Sequence, residues 1–384
     1  MSFLSWFIGF IKADKWWVYK IAGGVFTAII FTVWYEIPID FQFWKNLAVL
    51  FLSFGVLAVF GHLLNDLTDL ESDRLSGKRN SVSQIGKSTS TLLVVVLAVL
   101  GVLLLCTLDN QLLFTLGIFQ VVFNLAYSVR PIRLKERGVL AVVVTGFYER
   151  ALPYAMIGTL LLTTAEFGFT DLITIYLVWS FLWETRNFLT GQQADQNSDL
   201  QTNQKTVAVV YHANTLNAVQ RLLFLAEIGL FVAWMFQFAY WPAIVIISTA
   251  NALYFHHRKF GEYRVSRSQL FNMVDDIYNL SLPVLFAALA LITYSERLWP
   301  LFALLLVGFD NHFRMLFVIV VKNIDWQKWL RHLTFPYRMV SLIFNWSVYY
   351  FRKWVLKWPE ERNWGEHYPE YLERKKTKKE ETSD

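Results

Sequence analysis

Residues 43–73, FWKNLAVLFLSFGVLAVFGHLLNDLTDLESD, join an apolar stretch directly to a cluster of carboxylates. The apolar part, 43–64, carries Lys45 as its one charged side chain. Its length is close to the ~20 residues that an α-helix needs to cross the hydrocarbon core of a bilayer. This stretch therefore predicts a membrane-spanning helix that ends in oxygen ligands.

Similar apolar stretches recur along the chain, which has 384 residues, 55% of them hydrophobic and 17% charged. A soluble domain of this length would expose more charge. The sequence therefore predicts an all-α integral membrane protein, a bundle of nine to ten transmembrane helices with a polar cap on the cytoplasmic side. The predicted spans are 18–36, 43–64, 91–108, 111–128, 138–162, 171–191, 218–238, 241–255, 277–294 and 298–320.

Basic residues are concentrated in alternate connections, among them 74–87, 130–137 and 258–267. Lys and Arg are retained on the cytoplasmic side of membrane proteins. We therefore expect these connections and both termini to be cytoplasmic, with an even number of spans.

The carboxylate cluster after the second span has a helical spacing. Asn65, Asp69 and Asp73 are four residues apart, so on a helix they share one face, with Asp66 at its edge. Converging oxygen ligands suit Mg²⁺, which combines a few carboxylates with substrate phosphate oxygens. The pattern is typical of a diphosphate site, although a solvated helix end has the same composition.

A second cluster lies in the loop predicted after the sixth span, where Asp195 and Asp199 are again four residues apart. Two such clusters facing one cavity would repel each other unless cations lie between them. The connection after the fourth span supplies Arg133 and Lys135, which can hold phosphate oxygens. The basic residues at 258–267 are equally typical of the ordinary cytoplasmic excess of charge.

Together these motifs resemble those of the UbiA-type prenyltransferases over residues 20–295. The family carries NDxxDxxxD after its second helix, DxxxD after its sixth, and a basic loop opened by a tyrosine between them. Here the matching residues are Asn65, Asp66, Asp69, Asp73, Asp195 and Asp199, with Tyr127 and Lys135 in the basic loop and Lys205-Thr206-Val207 after the second motif.

The resemblance implies Mg²⁺-dependent transfer of an isoprenyl group from an isoprenyl diphosphate to a small lipophilic acceptor. It implies catalytic roles for Tyr127, Asp69 and Asp195. The implied metal ligands are Asn65, Asp66, Asp69, Asp73, Asp195 and Asp199. The implied diphosphate-binding residues are Lys78, Arg79, Arg133, Lys135 and Lys205.

Other functions of the same residues stay open: cyclisation of the isoprenyl diphosphate, phosphoribosyl transfer to a polyprenyl phosphate, or a transporter or scaffold without chemistry. The stretch 77–86 lacks the Arg-Pro pair of many aromatic-acceptor members, which leaves the acceptor class open. Charged residues at membrane depth tend to be functional. We therefore consider Glu149, Arg150 and Glu184 as lining of the acceptor pocket, with helix-to-helix pairing as the alternative.

The predicted organisation has four parts: an interfacial segment at 1–17, a prenyltransferase core at 18–295, an additional transmembrane helix at 296–321, and a basic aromatic tail at 322–384. The tail is expected on the cytoplasmic membrane surface, because its uncharged runs are too short to span a bilayer. The expected partners are the diphosphate, the acceptor and the lipid bilayer, and no nucleic acid.

Overall fold

The computed structural model describes residues 22–77, 80–164, 171–201, 204–238 and 277–308. Eleven further positions are described: 10, 20, 242, 244–246, 248, 249, 271, 274 and 275. All of these residues belong to one compact unit made of residues 1–253 and 266–308.

Every regular element in the described ranges is helical. The helices are α1 (Ala22–Trp34), α2 (Phe41–Thr68), α3 (Leu70–Ser76), α4 (Val82–Ile85), α5 (Lys87–Cys106), α6 (Gln111–Ser128), α7 (Val139–Gly146), α8 (Leu152–Thr164), α9 (Asp171–Gln201), α10 (Val207–Val210), α11 (Ala213–Met235), α12 (Leu282–Thr293) and α13 (Trp299–Gly308). π-helical turns at Phe147–Ala151 and Ile277–Ser281 join α7 to α8 and lead into α12.

Four of the described helices, α2, α5, α6 and α11, are long and apolar enough to cross a membrane. Helix α1 and residues 277–293 are shorter apolar helices. The prediction of an all-helical chain with membrane-crossing segments is confirmed. The count of nine to ten spans stays a prediction, because the spans expected at 241–255 and 298–320 extend outside the described residues.

Helix α2 packs against α5 and α6, and this packing places the first carboxylate motif. A Cβ atom on Gly101 would lie 2.6 Å from Cδ2 of Leu57, so α2 and α5 approach closely where this residue has no side chain. Ser53 Oγ donates a hydrogen bond to the Gly101 carbonyl at 2.8 Å. Small residues that let backbones approach are typical of packed membrane helices.

Helix α9 packs against α11 and α7 and is longer than the predicted span at 171–191. The prediction that the second motif lies in a loop is wrong, because helix α9 continues to Gln201. Its polar end is held by side-chain hydrogen bonds from Gln196 Nε2 to the Ala208 carbonyl and from Gln193 Nε2 to Asn217 Oδ1. These two hydrogen bonds connect the polar end of α9 to α10 and α11.

Candidate active site

One cavity of about 750 Å³ is lined by both carboxylate motifs. Helix α2 and its continuation into α3 provide one side, and the last turns of α9 provide another. The motif residues in the lining are Asn65, Asp66, Asp69, Asp73, Asp195 and Asp199. Asp69 and Asp199 are 130 residues apart in the sequence. The two motifs nevertheless meet in one site.

The first motif keeps its helical geometry although α2 ends at Thr68. The Asp69 N–H donates to the Asn65 carbonyl at 2.9 Å, and the Asp73 N–H donates to the Asp69 carbonyl at 2.8 Å. The i to i+4 pattern thus continues across the boundary between α2 and α3. Asn65, Asp69 and Asp73 therefore follow one another along the helix, as their spacing predicts.

Two cations from the connection between α6 and α7 contact Asp69. Lys135 Nζ lies 2.5 Å from both carboxylate oxygens and also donates to Asn65 Oδ1 at 3.1 Å. Arg133 donates from a terminal guanidinium nitrogen to Asp69 Oδ1 at 2.9 Å. Arg133 has a left-handed backbone conformation (φ 36°), which is uncommon outside glycine and is often found at functional sites. Charge-assisted bonds of this kind are the strong class of hydrogen bond.

Burial lowers the pKa of Lys135 below its ordinary value, and the adjacent Asp69 carboxylate opposes this shift. Lys135 lines the cavity and is 7% exposed, whereas Arg133 approaches Asp69 without being part of the lining. Of these two cations, Lys135 is thus the one placed to contact a bound anion directly.

The loop after α3 holds the other two carboxylates of the first motif. Asn80 Nδ2 donates to Asp73 Oδ2 and to the Asp66 carbonyl, both at 2.7 Å. The Ser81 N–H donates to Asp66 Oδ2 at 2.8 Å. Asn80 and Ser81 are both buried. Neither was predicted from the sequence, because Asn and Ser are common in loops and do not indicate a metal site without their contacts.

The second motif has a neutral donor as a neighbour. The Thr206 hydroxyl donates to Asp199 Oδ2 at 2.8 Å, and both residues line the cavity. Lys205, predicted to bind diphosphate, is exposed and is not in the lining. Lys78 and Arg79, also predicted to bind diphosphate, lie outside the described residues.

Tyr127 lies near the end of α6 and lines the cavity. Its ring centroid is 5.5 Å from that of Tyr148 and 6.5 Å from that of Phe188. Tyr148 and Phe188 also line the cavity. The three rings therefore form an aromatic patch beside the motifs, of the kind that attracts positive charge.

The charged residues at membrane depth line the same cavity, as the pocket interpretation predicted. Arg150 Nε donates to Glu184 Oε2 at 2.8 Å, and Lys20 forms an ion pair with Glu149. These contacts also satisfy the alternative prediction of helix-to-helix pairing. Sequence reasoning did not assign Lys20 to the cavity, since its position at the start of the first span is equally typical of the membrane interface.

A separate charged cluster lies behind the cavity. Arg186 donates to Glu227 Oε2 at 2.7 Å and to Asp275 Oδ1 at 2.6 Å, and Arg186 and Glu227 are fully buried. None of these three residues is in the cavity lining. Asp275 therefore bonds to α9 here and is not part of the cavity lining.

The oxygen-rich donor set of the cavity suits a hard cation shared with a substrate. Among the residues that the structure describes, no three His, Cys, Asp or Glu side chains are arranged to hold a metal ion alone. Mg²⁺ does not require such a cage, because one or two carboxylates, water and substrate phosphate oxygens complete its octahedral coordination. The two motifs, each with carboxylates in the cavity, fit that requirement.

The chain matches the model of the UbiA prenyltransferase family over residues 23–282. A UbiA homolog from Archaeoglobus fulgidus, solved bound to DMAPP and Mg²⁺, is 15% identical with a TM-score of 0.53, covering 77% of this chain and 98% of that one. The same homolog bound to GPP and Mg²⁺ gives 14% identity and a TM-score of 0.52, covering 77% and 99%. The apo structure of a UbiA homolog from Aeropyrum pernix K1 gives 15% identity and a TM-score of 0.53, covering 71% and 96%.

No curated protein matches the chain. The family match covers more than half of the sequence, and the chain belongs to the UbiA prenyltransferase family.

Proposed function

We propose that this protein transfers an isoprenyl group from an isoprenyl diphosphate to a lipophilic acceptor, with Mg²⁺ as cofactor and release of diphosphate. The observation that carries the proposal is the meeting of two carboxylate motifs, from α2 and α9, in one cavity. Carboxylates that share a site repel each other unless cations lie between them. A diphosphate bound through divalent cations satisfies both motifs at once.

In this proposal the metal ligands are Asn65, Asp66, Asp69, Asp73, Asp195 and Asp199. Bound Mg²⁺ supplies electrostatic stabilisation of the negative charge that develops on the leaving diphosphate. Lys135 adds a positive charge at the same end of the cavity, with Arg133 behind it. Lys78, Arg79 and Lys205 are proposed to bind the outer diphosphate oxygens.

The chain's own residues then have three tasks in the transfer. Lys135 favours departure of the diphosphate, which takes the electron pair of the carbon–oxygen bond. The ring of Tyr127 faces the allylic carbon as it becomes cation-like. The packed helices exclude bulk water, which would otherwise capture this carbon before the acceptor does.

The ligands bound in related structures support the donor class. One Archaeoglobus fulgidus homolog was solved with DMAPP and Mg²⁺ and with GPP and Mg²⁺. Both ligands are isoprenyl diphosphates, and the structure of that homolog covers 77% of this chain. We propose the same class of donor here, with Asp195 and Asp69 essential on opposite sides of the cavity.

The test is a product analysis of the purified protein in lipid nanodiscs with DMAPP or GPP, Mg²⁺ and a panel of acceptors. We expect diphosphate release that stops in EDTA and a prenylated acceptor in the mass spectrum. A cyclised hydrocarbon would favour cyclisation, and a phosphoribosylated lipid formed from phosphoribosyl diphosphate would favour the third chemistry. Binding of no isoprenyl diphosphate in the presence of Mg²⁺ would contradict the proposal.

We further propose that the site and both termini face the cytoplasm and that the tail at 322–384 lies on that membrane surface. The alternation of basic connections along the sequence supports the orientation. A C-terminal reporter that is active outside the cytoplasm would contradict it. Deleting residues 325–384 should weaken membrane anchoring more than it changes Mg²⁺ dependence, whereas complete loss of catalysis in a folded deletion variant would assign the tail to the active site.

A further inference from the structure

The cavity continues away from the carboxylate motifs into a second polar region. Glu184 and Asp195 both line it and are eleven residues apart on α9, which corresponds to about 16 Å along a helix. We call the second region the polar wall. It consists of Lys20, Glu149, Arg150, Glu184 and Gln120.

A π-helical turn creates part of this wall. In an α-helix successive side chains point about 100° apart, so three consecutive residues rarely face one cavity. Within the turn Phe147–Ala151, Tyr148, Glu149 and Arg150 all line the cavity. π-turns inside helices are frequent at functional sites. The chain therefore departs from regular helix at the point where it brings two charges to the wall.

The charges of the polar wall cancel in pairs. Lys20 pairs with Glu149, and Arg150 pairs with Glu184 at 2.8 Å. Arg150 is held further by the hydroxyl of Tyr154 at 3.3 Å and by the ring of Trp183, 3.5 Å from its guanidinium carbon. Lys20 and Arg150 are therefore both already paired with a carboxylate. An anion that enters this region would add a negative charge without a counterion, and an uncompensated charge costs free energy at membrane depth.

One amide oxygen of the wall has no hydrogen-bond partner among the described residues. It is Oε1 of Gln120, an atom with almost no accessible surface in this conformation. Gln120 Nε2 donates to the Tyr148 carbonyl at 2.9 Å, which ties that amide to the π-helical turn. A buried carbonyl oxygen without a donor is unfavourable, so a ligand that brings an O–H or N–H group favours a small movement of this amide toward the cavity that Gln120 lines.

The cavity lining also has apolar residues, which are Phe54, Leu57 and Ala58 on α2 and Met156 on α8. A hydrocarbon tail gains free energy by contact with such residues and gains nothing from the polar wall. The cavity is thereby divided between a surface for an isoprenyl tail and a surface for a polar molecule.

We propose that the polar wall binds the acceptor and that the acceptor is an uncharged molecule with hydroxyl or N–H groups, not a carboxylate or a phosphate. The inference rests on the proposed function, because it assumes that the diphosphate occupies the motif end. It defines the acceptor by charge and hydrogen bonding, which the motifs themselves leave open.

The test compares two probes that differ in one group, 3,5-dihydroxybenzyl alcohol and 3,5-dihydroxybenzoate. Their binding to the full-length protein in nanodiscs is measured with Mg²⁺ and GPP at pH 8, where the carboxyl group of the benzoate is ionised. We expect the alcohol to bind at least tenfold more tightly. In Glu184→Gln, Arg150 loses its counterion, and we expect the benzoate to gain at least tenfold.

Glu296→Gln is the matched control, because it makes the same chemical change at an exposed position outside the lining. It should leave both affinities unchanged. If Glu184→Gln does not fold, Gln120→Leu replaces it and should weaken the alcohol severalfold without improving the benzoate. Tighter binding of the benzoate to the unmodified protein, binding of neither probe, or equal effects of Glu184→Gln and Glu296→Gln would overturn the inference. Binding of GPP in the same samples separates these outcomes from failure of the proposed function.

Discussion

The two carboxylate motifs line the same cavity but are held in different ways. Asp69 of the first motif is contacted by the cations Lys135 and Arg133, and Asp73 and Asp66 accept hydrogen bonds from the loop after α3. Asp199 of the second motif accepts a hydrogen bond from the neutral Thr206 hydroxyl. The first motif is thus part of a charged network that also joins α2 to the connection after α6.

This difference separates two consequences of losing a carboxylate. Removing one partner of a buried ion pair leaves the other charge without compensation and is strongly destabilising. Asp195 of the second motif is exposed, and replacing an exposed side chain usually costs little stability. The motifs should therefore be equally important for catalysis and unequally important for stability.

The largest expected effect is the loss of transfer in Asp195→Ala. We expect the rate to fall by about a thousandfold, the scale seen when a group that stabilises charge in a transition state is removed. The melting temperature should change little. Diphosphate release and thermal unfolding measured on one preparation test both points, with Glu296→Gln as the control. Full turnover in Asp195→Ala would remove the second motif from the site.

Asp69→Ala should abolish transfer and also lower the free energy of unfolding by about 3 kcal/mol, because the buried Lys135 loses its counterion, whereas Arg133 keeps Glu136. The double variant Asp69→Ala with Lys135→Met should recover part of that stability without recovering transfer. Thermal unfolding of the single and double variants measures this coupling. Additive losses would show that the ion pair is not responsible for the difference between the motifs.

Asn80→Ala should raise the Mg²⁺ concentration needed for half-maximal activity by about tenfold, the usual effect of removing a residue that orients metal ligands. Asn80 touches Asp73 and the Asp66 backbone without being in the cavity lining, so we expect it to position these ligands. Gln84→Ala, at an exposed position in the next helix, is the control. A lower rate at saturating Mg²⁺, with an unchanged Mg²⁺ requirement, would argue against a positioning role.

The smallest expected effect belongs to Lys205→Ala. An exposed ion pair contributes at most about 1 kcal/mol, so we expect no more than a fivefold rise in KM for the diphosphate. The effect should disappear at high salt, which screens exposed charges. Lys135→Met should cause a larger loss that persists at high salt. Equal losses in both variants would give Lys205 the same direct role at the diphosphate as Lys135.

Much of the helical framework follows from hydropathy. The span predicted at 111–128 coincides with α6, and the spans at 43–64 and 91–108 lie within a few residues of α2 and α5. Apolar stretches of this length have few alternatives, because a backbone in lipid must satisfy its own hydrogen bonds. The polar end of α9 was mistaken for a loop because the apolar pattern stops after Leu189 and Gly191, Asn197 and Ser198 are weak helix formers. The hydrogen bonds to Ala208 and Asn217 appear only in the tertiary structure.

By itself the sequence determined the chemical type of the site, because carboxylates at helical spacing can be recognised without coordinates. Tertiary structure alone decided which polar side chains contact one another around this site. The contacts of Asn80 with Asp73, of Lys20 with Glu149 and of Arg150 with Glu184 join residues from different elements. A local pattern does not contain such long-range pairs, because the packing of whole helices selects which polar side chains meet in the cavity.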